Sequence, residues 1–102
     1  MVSLKLYRLQ RFGLNLVYSI EFLSEAKKEL SKLDFVVQRQ LKEKIILLSQ
    51  NPAVLKNNIK PIKGEFLGKF RLRVRDYRVI FQIIDEKVLI LIVRIGHRKE
   101  IY

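Results

Sequence analysis

Lys69, Arg71, Arg73 and Arg75 stand at strict two-residue spacing in the stretch KFRLRVRDYRVIF (69–81), with Phe70, Leu72 and Val74 between them. Alternate side chains of an extended chain point to opposite faces of a sheet, so one face of this strand is apolar and the other carries only positive charge. A row of like charges weakens a sheet. The chemistry that rewards it is a grip on phosphate, because the guanidinium fork matches phosphate oxygens and keeps its charge. If the next strand runs back alongside, Tyr77, Val79, Phe81 and Ile83 share one face and Arg78, Ile80 and Gln82 the other, and Arg78 joins the basic side. RIGHRKEIY (94–102) ends the chain with a glycine at which the backbone can bend, then His97, Arg98, Lys99 and Tyr102.

The elements that must position these residues follow from the rest of the chain. With 102 residues it is long enough for one modest core of two packed layers and too short for two. About half of the residues are apolar (49%) and 30% are charged, a balance that fits a folded soluble domain and argues against disorder. No cysteine is present, so no disulfide or thiolate metal site is expected, in keeping with a reducing cytoplasm. No Asp/Glu/His cluster has ligand spacing, and neither a metal nor a cofactor is implied. The longest apolar run, VLILIV (88–93), is far short of the roughly 20 residues of a membrane span. It reads as a buried strand. Residues 1–16 lack a small-residue cleavage site and a sustained apolar stretch, so no signal peptide is expected.

The net charge of +11 is unevenly spread. Residues 17–50 carry six bases and five acids, whereas 51–84 carry eight bases and two acids. A nearly balanced helical part beside a strongly basic strand part implies one positive face, the footprint of a protein that meets phosphates.

VYSIEF (17–22) alternates and is rich in β-formers, and reads as a strand. Ser24 is a candidate cap for a helix with Ala26, Leu30 and Leu33 on one stripe. Asp34 is a second candidate cap, before Val37, Leu41, Ile45 and Leu48 at helical spacing, and Asn51-Pro52 is a stop signal. Residues 53–68 read as an irregular connection. Strands follow at about 69–75, 77–84 and 88–95, the last two joined by a tight DEK turn. The expected architecture is α+β: an antiparallel or mixed sheet of about four strands, in the order β-α-α-β-β-β, with the helical hairpin on one face and the basic face open. The strand at 88–93 is expected to be central and covered on both faces for much of its length.

Four segments, AKKELSKLD (26–34), LSQNP (48–52), IKGEFLGKFRLRVRDYRVIFQI (62–83) and IGHRKEIY (95–102), resemble the RelE/ParE superfamily of toxin–antitoxin toxins, and specifically its RelE-like branch. The resemblance covers residues 17–102 and leaves 1–16 as an extension, either an extra strand, a basic arm or translation from an upstream start codon. It implies a ribosome-dependent messenger RNA endonuclease acting in the cytoplasm and neutralised by a cognate antitoxin, with ribosome and message as the other partners and no membrane. Metal-free RNA cleavage by such an enzyme uses the ribose 2′-hydroxyl as nucleophile. It needs a proton acceptor, cations on the charged transition state, and a donor for the leaving 5′-oxygen.

Carried over position by position, the resemblance implies catalytic roles for Lys69, Arg71, Arg78, His97, Arg98 and Tyr102, and RNA binding by Lys69, Arg71, Arg73, Arg75 and Lys99. Arg78 and Arg98 match phosphate-binding arginines, Tyr102 a tyrosine that stacks on or protonates substrate, and His97 a histidine that other branches use as acid or base. The departure is Arg71, where other members carry a lysine. Arginine is a poor proton acceptor, which leaves Lys69, His97 or Tyr102 for that task. Members of the family often carry a C-terminal helix that the antitoxin displaces; none is expected here, so an acidic or amphipathic antitoxin, folding as it binds, is expected to work by covering the basic face, with the helical hairpin as a docking groove for one of its helices. Two alternatives stay open. One is a ParE-like inhibitor of DNA gyrase, which shares the fold but generally lacks the terminal Arg, His and Tyr set. The other is a non-catalytic RNA- or ribosome-binding module, whose binding would be salt-dependent without cleavage.

Overall fold

The computed structural model describes residues 17–64 and 68–100. Strand β1 (Ser19–Phe22) leads into helix α1 (Ser24–Ser31). The N-cap position of α1 is Leu23, in extended conformation and without a side-chain cap bond, so Ser24 is the first helical residue rather than the cap. Ala26 and Leu30, four residues apart, are its buried positions. Helix α2 (Phe35–Gln50) starts where the sequence signals it: Asp34 Oδ1 accepts from the Val37 N–H at 3.0 Å, a cap worth about 1 kcal/mol. Leu41, Ile45 and Leu48 form its fully buried stripe. It ends at Asn51, and Pro52 opens a 3₁₀ segment, Pro52–Asn58.

Four further strands follow: β2 (Ile59–Pro61), β3 (Phe70–Val74), β4 (Tyr77–Ile84) and β5 (Leu89–His97). The order across the sheet is β1-β5-β4-β3-β2, with β1 parallel to β5 and every other pair antiparallel. The architecture is the α+β one expected, with five strands in place of about four. The added strand is β2, three residues from the segment read as irregular, pairing Ile59 with Leu72, Lys60 with Arg71 and Pro61 with Phe70. Its shortness and its proline hide it in the sequence, yet both suit a sheet edge, where an unused N–H is not missed.

Helices α1 and α2 cover one face of the sheet. Leu72, Val79, Phe81, Ile90, Ile92 and Ile95 meet Leu41, Ile45 and Leu48 there, all essentially inaccessible. The opposite face is not bare: Ile80 and Val93 are buried on it, with Ile62 and Leu91 against them. Apolar residues on both faces explain the unbroken apolar run of β5, which lies between β1 and β4. The register shifts after Ile80, which faces Arg94 while Phe81 faces Ile92. Val93 is the extra residue of that bulge.

Strand β1 pairs with β5 only as far as Ile92. Beyond it, Glu29 of α1 takes over the edge: one carboxylate oxygen accepts from the Ile95 N–H at 2.8 Å, the other from Arg94 Nε at 2.9 Å. Arg94 Nη2 also lies 2.8 Å from Glu29, and its Nε lies 3.0 Å from Glu25. These bonds fix the end of the strand that carries His97 and, just past it, Arg98.

Candidate functional site

The β3–β4 hairpin builds the cationic face from its register. Arg73 lies opposite Arg78 and Arg71 opposite Ile80, with Lys60 beyond Arg71 on β2. Cross-strand partners share a face, so Lys60, Arg71, Arg73 and Arg78 come together on the side away from the helices. With Asn57 and Asn58 they line a hollow of about 40 Å³. Lys60, Asn57 and Asn58 were not candidates from the sequence. The signal that points to Lys60 is the pairing of β2, which its three residues do not announce.

Arg78 sits at the centre of this charge. Its Nη1 donates to the carbonyls of Arg75 at 3.2 Å and Tyr77 at 3.0 Å, which ties the guanidinium to the hairpin turn. Burial pulls its pKa below the ordinary arginine value, and the neighbouring charges of Arg71, Arg73 and Arg98 pull it further, against Asp76. The same interactions place Arg98 within electrostatic reach, although it follows β5 and lies outside the β3–β4 hairpin. Arg98 is held there by Asp76, whose carbonyl accepts its N–H at 2.7 Å and whose carboxylate lies 3.8 Å from its Nε.

Other candidate residues are placed differently. Lys69 precedes β3 and is half-buried; its carbonyl accepts from the Ile62 N–H at 3.1 Å, and its alternation with Arg71 puts it on the cationic side. Arg75 leaves the strand alternation. It forms the turn with Asp76 at a φ of 55° and is exposed, a conformation that costs a non-glycine residue about 1 kcal/mol. His97 pairs with Tyr77 and stacks on its ring edge-on at 5.5 Å between centroids. Tyr77 packs on the helix side of the sheet, so the register puts His97 on the face opposite Arg71, Arg73 and Arg78. Its Nδ1 accepts from the Lys99 N–H at 3.2 Å, and its own N–H donates to Glu100 at 3.3 Å. Lys99 is exposed in the turn that follows β5. Tyr102 and residues 1–16 lie outside the described residues.

A cationic hollow beside an antiparallel hairpin can bind a phosphodiester and stabilise charge developing on it. Residues 20–102 match the family model described as the ParE toxin of the type II toxin–antitoxin system parDE. The chain belongs to the RelE/ParE toxin superfamily. Within it, the chain is 33% identical over 89 residues to the mRNA interferase toxin RelE of Escherichia coli K12, covering 85% of this chain and 92% of that protein. The toxin–antitoxin complex RelBE2 of Mycobacterium tuberculosis shares the fold with a TM-score of 0.71 and 30% identity, over 81% of this chain and 93% of that one. The intact RelBE toxin–antitoxin complex of E. coli matches with a TM-score of 0.64 and 30% identity, over 78% and 95% of the two chains. Membership of the superfamily accounts for the helical hairpin packed on the sheet.

Proposed function

We propose that this chain is the toxin of a toxin–antitoxin pair and a ribosome-dependent mRNA endonuclease of the RelE kind, working in the cytoplasm. The observation that carries this is the convergence of Arg71, Arg73 and Arg78 around one hollow, with Arg98 within electrostatic reach of Arg78, on a chain whose curated relative is named an mRNA interferase. Arg78 and Arg98 take the scissile phosphate, with Arg71 and Arg73 beside them. The ribose 2′-hydroxyl attacks that phosphate, and the four cations offset the negative charge that grows on its oxygens. The products are a 2′,3′-cyclic phosphate and a 5′-hydroxyl. Lys69, on the cationic side, is better sited than His97 to accept the proton of the 2′-hydroxyl. Arg75 and Lys99 extend the positive surface toward the neighbouring RNA backbone, and Tyr102 completes the set as stacking partner or proton donor.

The partner side is supported by a second surface. A groove of about 450 Å³ runs between β1 and the helical hairpin, floored by Ile20, Phe22, Leu30 and Ile45 and bordered by Lys27 and Lys42. An apolar floor with lysines at its rim suits an amphipathic antitoxin helix with acidic flanks, folding as it docks. The rest of such an antitoxin covers the cationic face and silences it by charge.

The family model's ParE description keeps gyrase inhibition as the second account. The two separate in one comparison: the purified chain is added to a supercoiling reaction with gyrase and, in parallel, to a translating extract. Cut messages with unaffected supercoiling support the endonuclease. Loss of supercoiling with intact messages overturns it.

A further inference from the structure

Cutting RNA in the cationic hollow takes more than positive charge. The 5′-oxygen leaves as an alkoxide unless a proton reaches it while its bond to phosphorus breaks. The hollow is lined by Asn57, Asn58, Lys60, Arg71, Arg73 and Arg78. A guanidinium holds its protons too firmly to give one up, and a carboxamide has none to exchange. Among the described residues that line the hollow, Lys60 alone has a side chain that can lose a proton and regain it from water.

The strand register places that side chain. Lys60 pairs with Arg71 across β2 and β3, and cross-strand partners share a face. Its neighbour Ile59 packs on the helix-side core, so alternation turns Lys60 the other way. The ladder runs on through the Ile62 N–H, which donates to the Lys69 carbonyl at 3.1 Å. Ile62 is in phase with Lys60 and meets Ile80 and Val93 on the open face. Ile80 is itself the β4 partner of Arg71. Lys60 is exposed, and among the described residues no carboxylate pairs with it. No ion pair draws it away from the hollow.

We propose that Lys60 is the general acid of the cut, donating an Nζ proton to the leaving 5′-oxygen. This role rests on RNA cleavage being the reaction of the cationic face. The 2′-oxygen bonds to phosphorus as the bond from phosphorus to the 5′-oxygen breaks. The proton of the 2′-hydroxyl goes to Lys69, and the proton of Lys60 goes to the 5′-oxygen, which leaves as a hydroxyl. The entering and leaving oxygens lie in line on opposite sides of the phosphorus, so one lysine cannot serve both. Lys60 ends the step as a neutral amine and takes a proton back from water. Arg71 beside it adds charge, and Tyr102 keeps its stacking role.

The test uses two short messages on purified ribosomes, identical except at the linkage that the wild type cuts. One carries the ordinary 5′-oxygen there and the other a bridging 5′-sulfur. A thiol is far more acidic than an alcohol, so sulfur leaves as a thiolate and needs no proton. Single-turnover cleavage is measured for the wild type, Lys60→Ala and Lys60→Arg, the last of which keeps the charge without a transferable proton. General acid catalysis is worth about 10²–10⁴-fold. Both variants are expected to cut the oxygen message at least about 100-fold more slowly than the wild type. Lys60→Arg is expected to cut the sulfur message at the wild-type rate. Lys60 is exposed on an edge strand, so thermal melting of both variants is expected to stay at the wild-type value. A wild-type rate from either variant on the oxygen message overturns the proposal, because charge or nothing at all then suffices. A Lys60→Arg defect of equal size on both messages overturns it too, since the lysine then acts otherwise than by giving a proton. A wild type that cuts neither message overturns the endonuclease reading itself and this role with it.

Discussion

Arg78→Ala should separate function from stability. In the folded protein burial is the first cost on the charge of the Arg78 guanidinium, and Arg71, Arg73 and Arg98 add to it as like charges, with Asp76 opposing them. Its hydrogen bonds go to the carbonyls of Arg75 and Tyr77 at the edge of the turn, where water can replace it. Removing it relieves repulsion and releases two solvated carbonyls. The net change is then within about 1 kcal/mol, or a shift of the melting temperature below about 8 °C for a domain of this size. The catalytic effect is far larger, because losing one preorganised donor to a transition-state oxyanion lowers kcat by about 10²–10³. RNA binding provides a third readout. One fewer phosphate contact flattens the slope of log K against log salt by about 0.7 for a single strand. Across a fourfold rise in salt, the variant should lose about 2.6-fold less affinity than the wild type. The assays are calorimetric melting, cleavage in extract and binding to labelled RNA across a salt series. A variant that cuts at the wild-type rate, or whose salt slope is unaltered, would refute the placement of Arg78 on phosphate. Lost activity that merely tracks unfolding would refute it equally.

Further outcomes follow from the same contacts. If Asp76 acts by holding Arg98, Asp76→Asn should slow cleavage about fivefold in the wild type and have no added effect on Arg98→Ala, a double-mutant cycle in which additive losses would exclude the coupling. Glu29→Ala strips the Ile95 N–H and Arg94 of a shared carboxylate and should destabilise the fold by about 1–3 kcal/mol, whereas Glu29→Gln, which keeps an acceptor for Ile95, costs less in chemical denaturation. Burial, then the charge and hydrogen bond of Asp85, push the Tyr18 phenol up to about 12. Its folded pKa exceeds the unfolded one, so the stability it contributes is whole below about pH 10 and drains away as pH rises through about 12. Ultraviolet titration should show a late tyrosine that Tyr18→Phe removes, and that variant should lose less stability across this window than the wild type.

The parts of the fold governed by local periodicity were legible in the sequence. Leu41, Ile45 and Leu48 on one helical stripe, the Asp34 cap, and the alternation from Phe70 to Val74 all stand as they read. What was hidden depends on pairing at a distance. Strand β2 owes its existence to β3, and Lys60 joins the site only through that pairing. Glu25 and Glu29 look like ordinary charges of a balanced helix, yet both turn onto Arg94. The alternation also over-reached by one residue. Lys69, Arg71 and Arg73 keep its phase, but the chain turns at Arg75, and a positive φ on an arginine has no sequence signature. His97 carries the opposite lesson. Its neighbours Gly96 and Arg98 suggest the cationic side, while its pairing with Tyr77 sends its ring to the other. Asn57 and Asn58 read as loop residues, and only the tertiary placement of the 3₁₀ segment brings them to the arginines.

The most direct test of the central claim is the chemistry of the cut ends. Messages from a translating extract are mapped by primer extension, and their 3′ termini are analysed with the wild type, Arg78→Ala and Arg98→Ala. Discrete cuts within codons on the ribosome, ending in 2′,3′-cyclic phosphate and lost in both variants, are the predicted result. Intact messages under a wild-type chain that still arrests growth would contradict it.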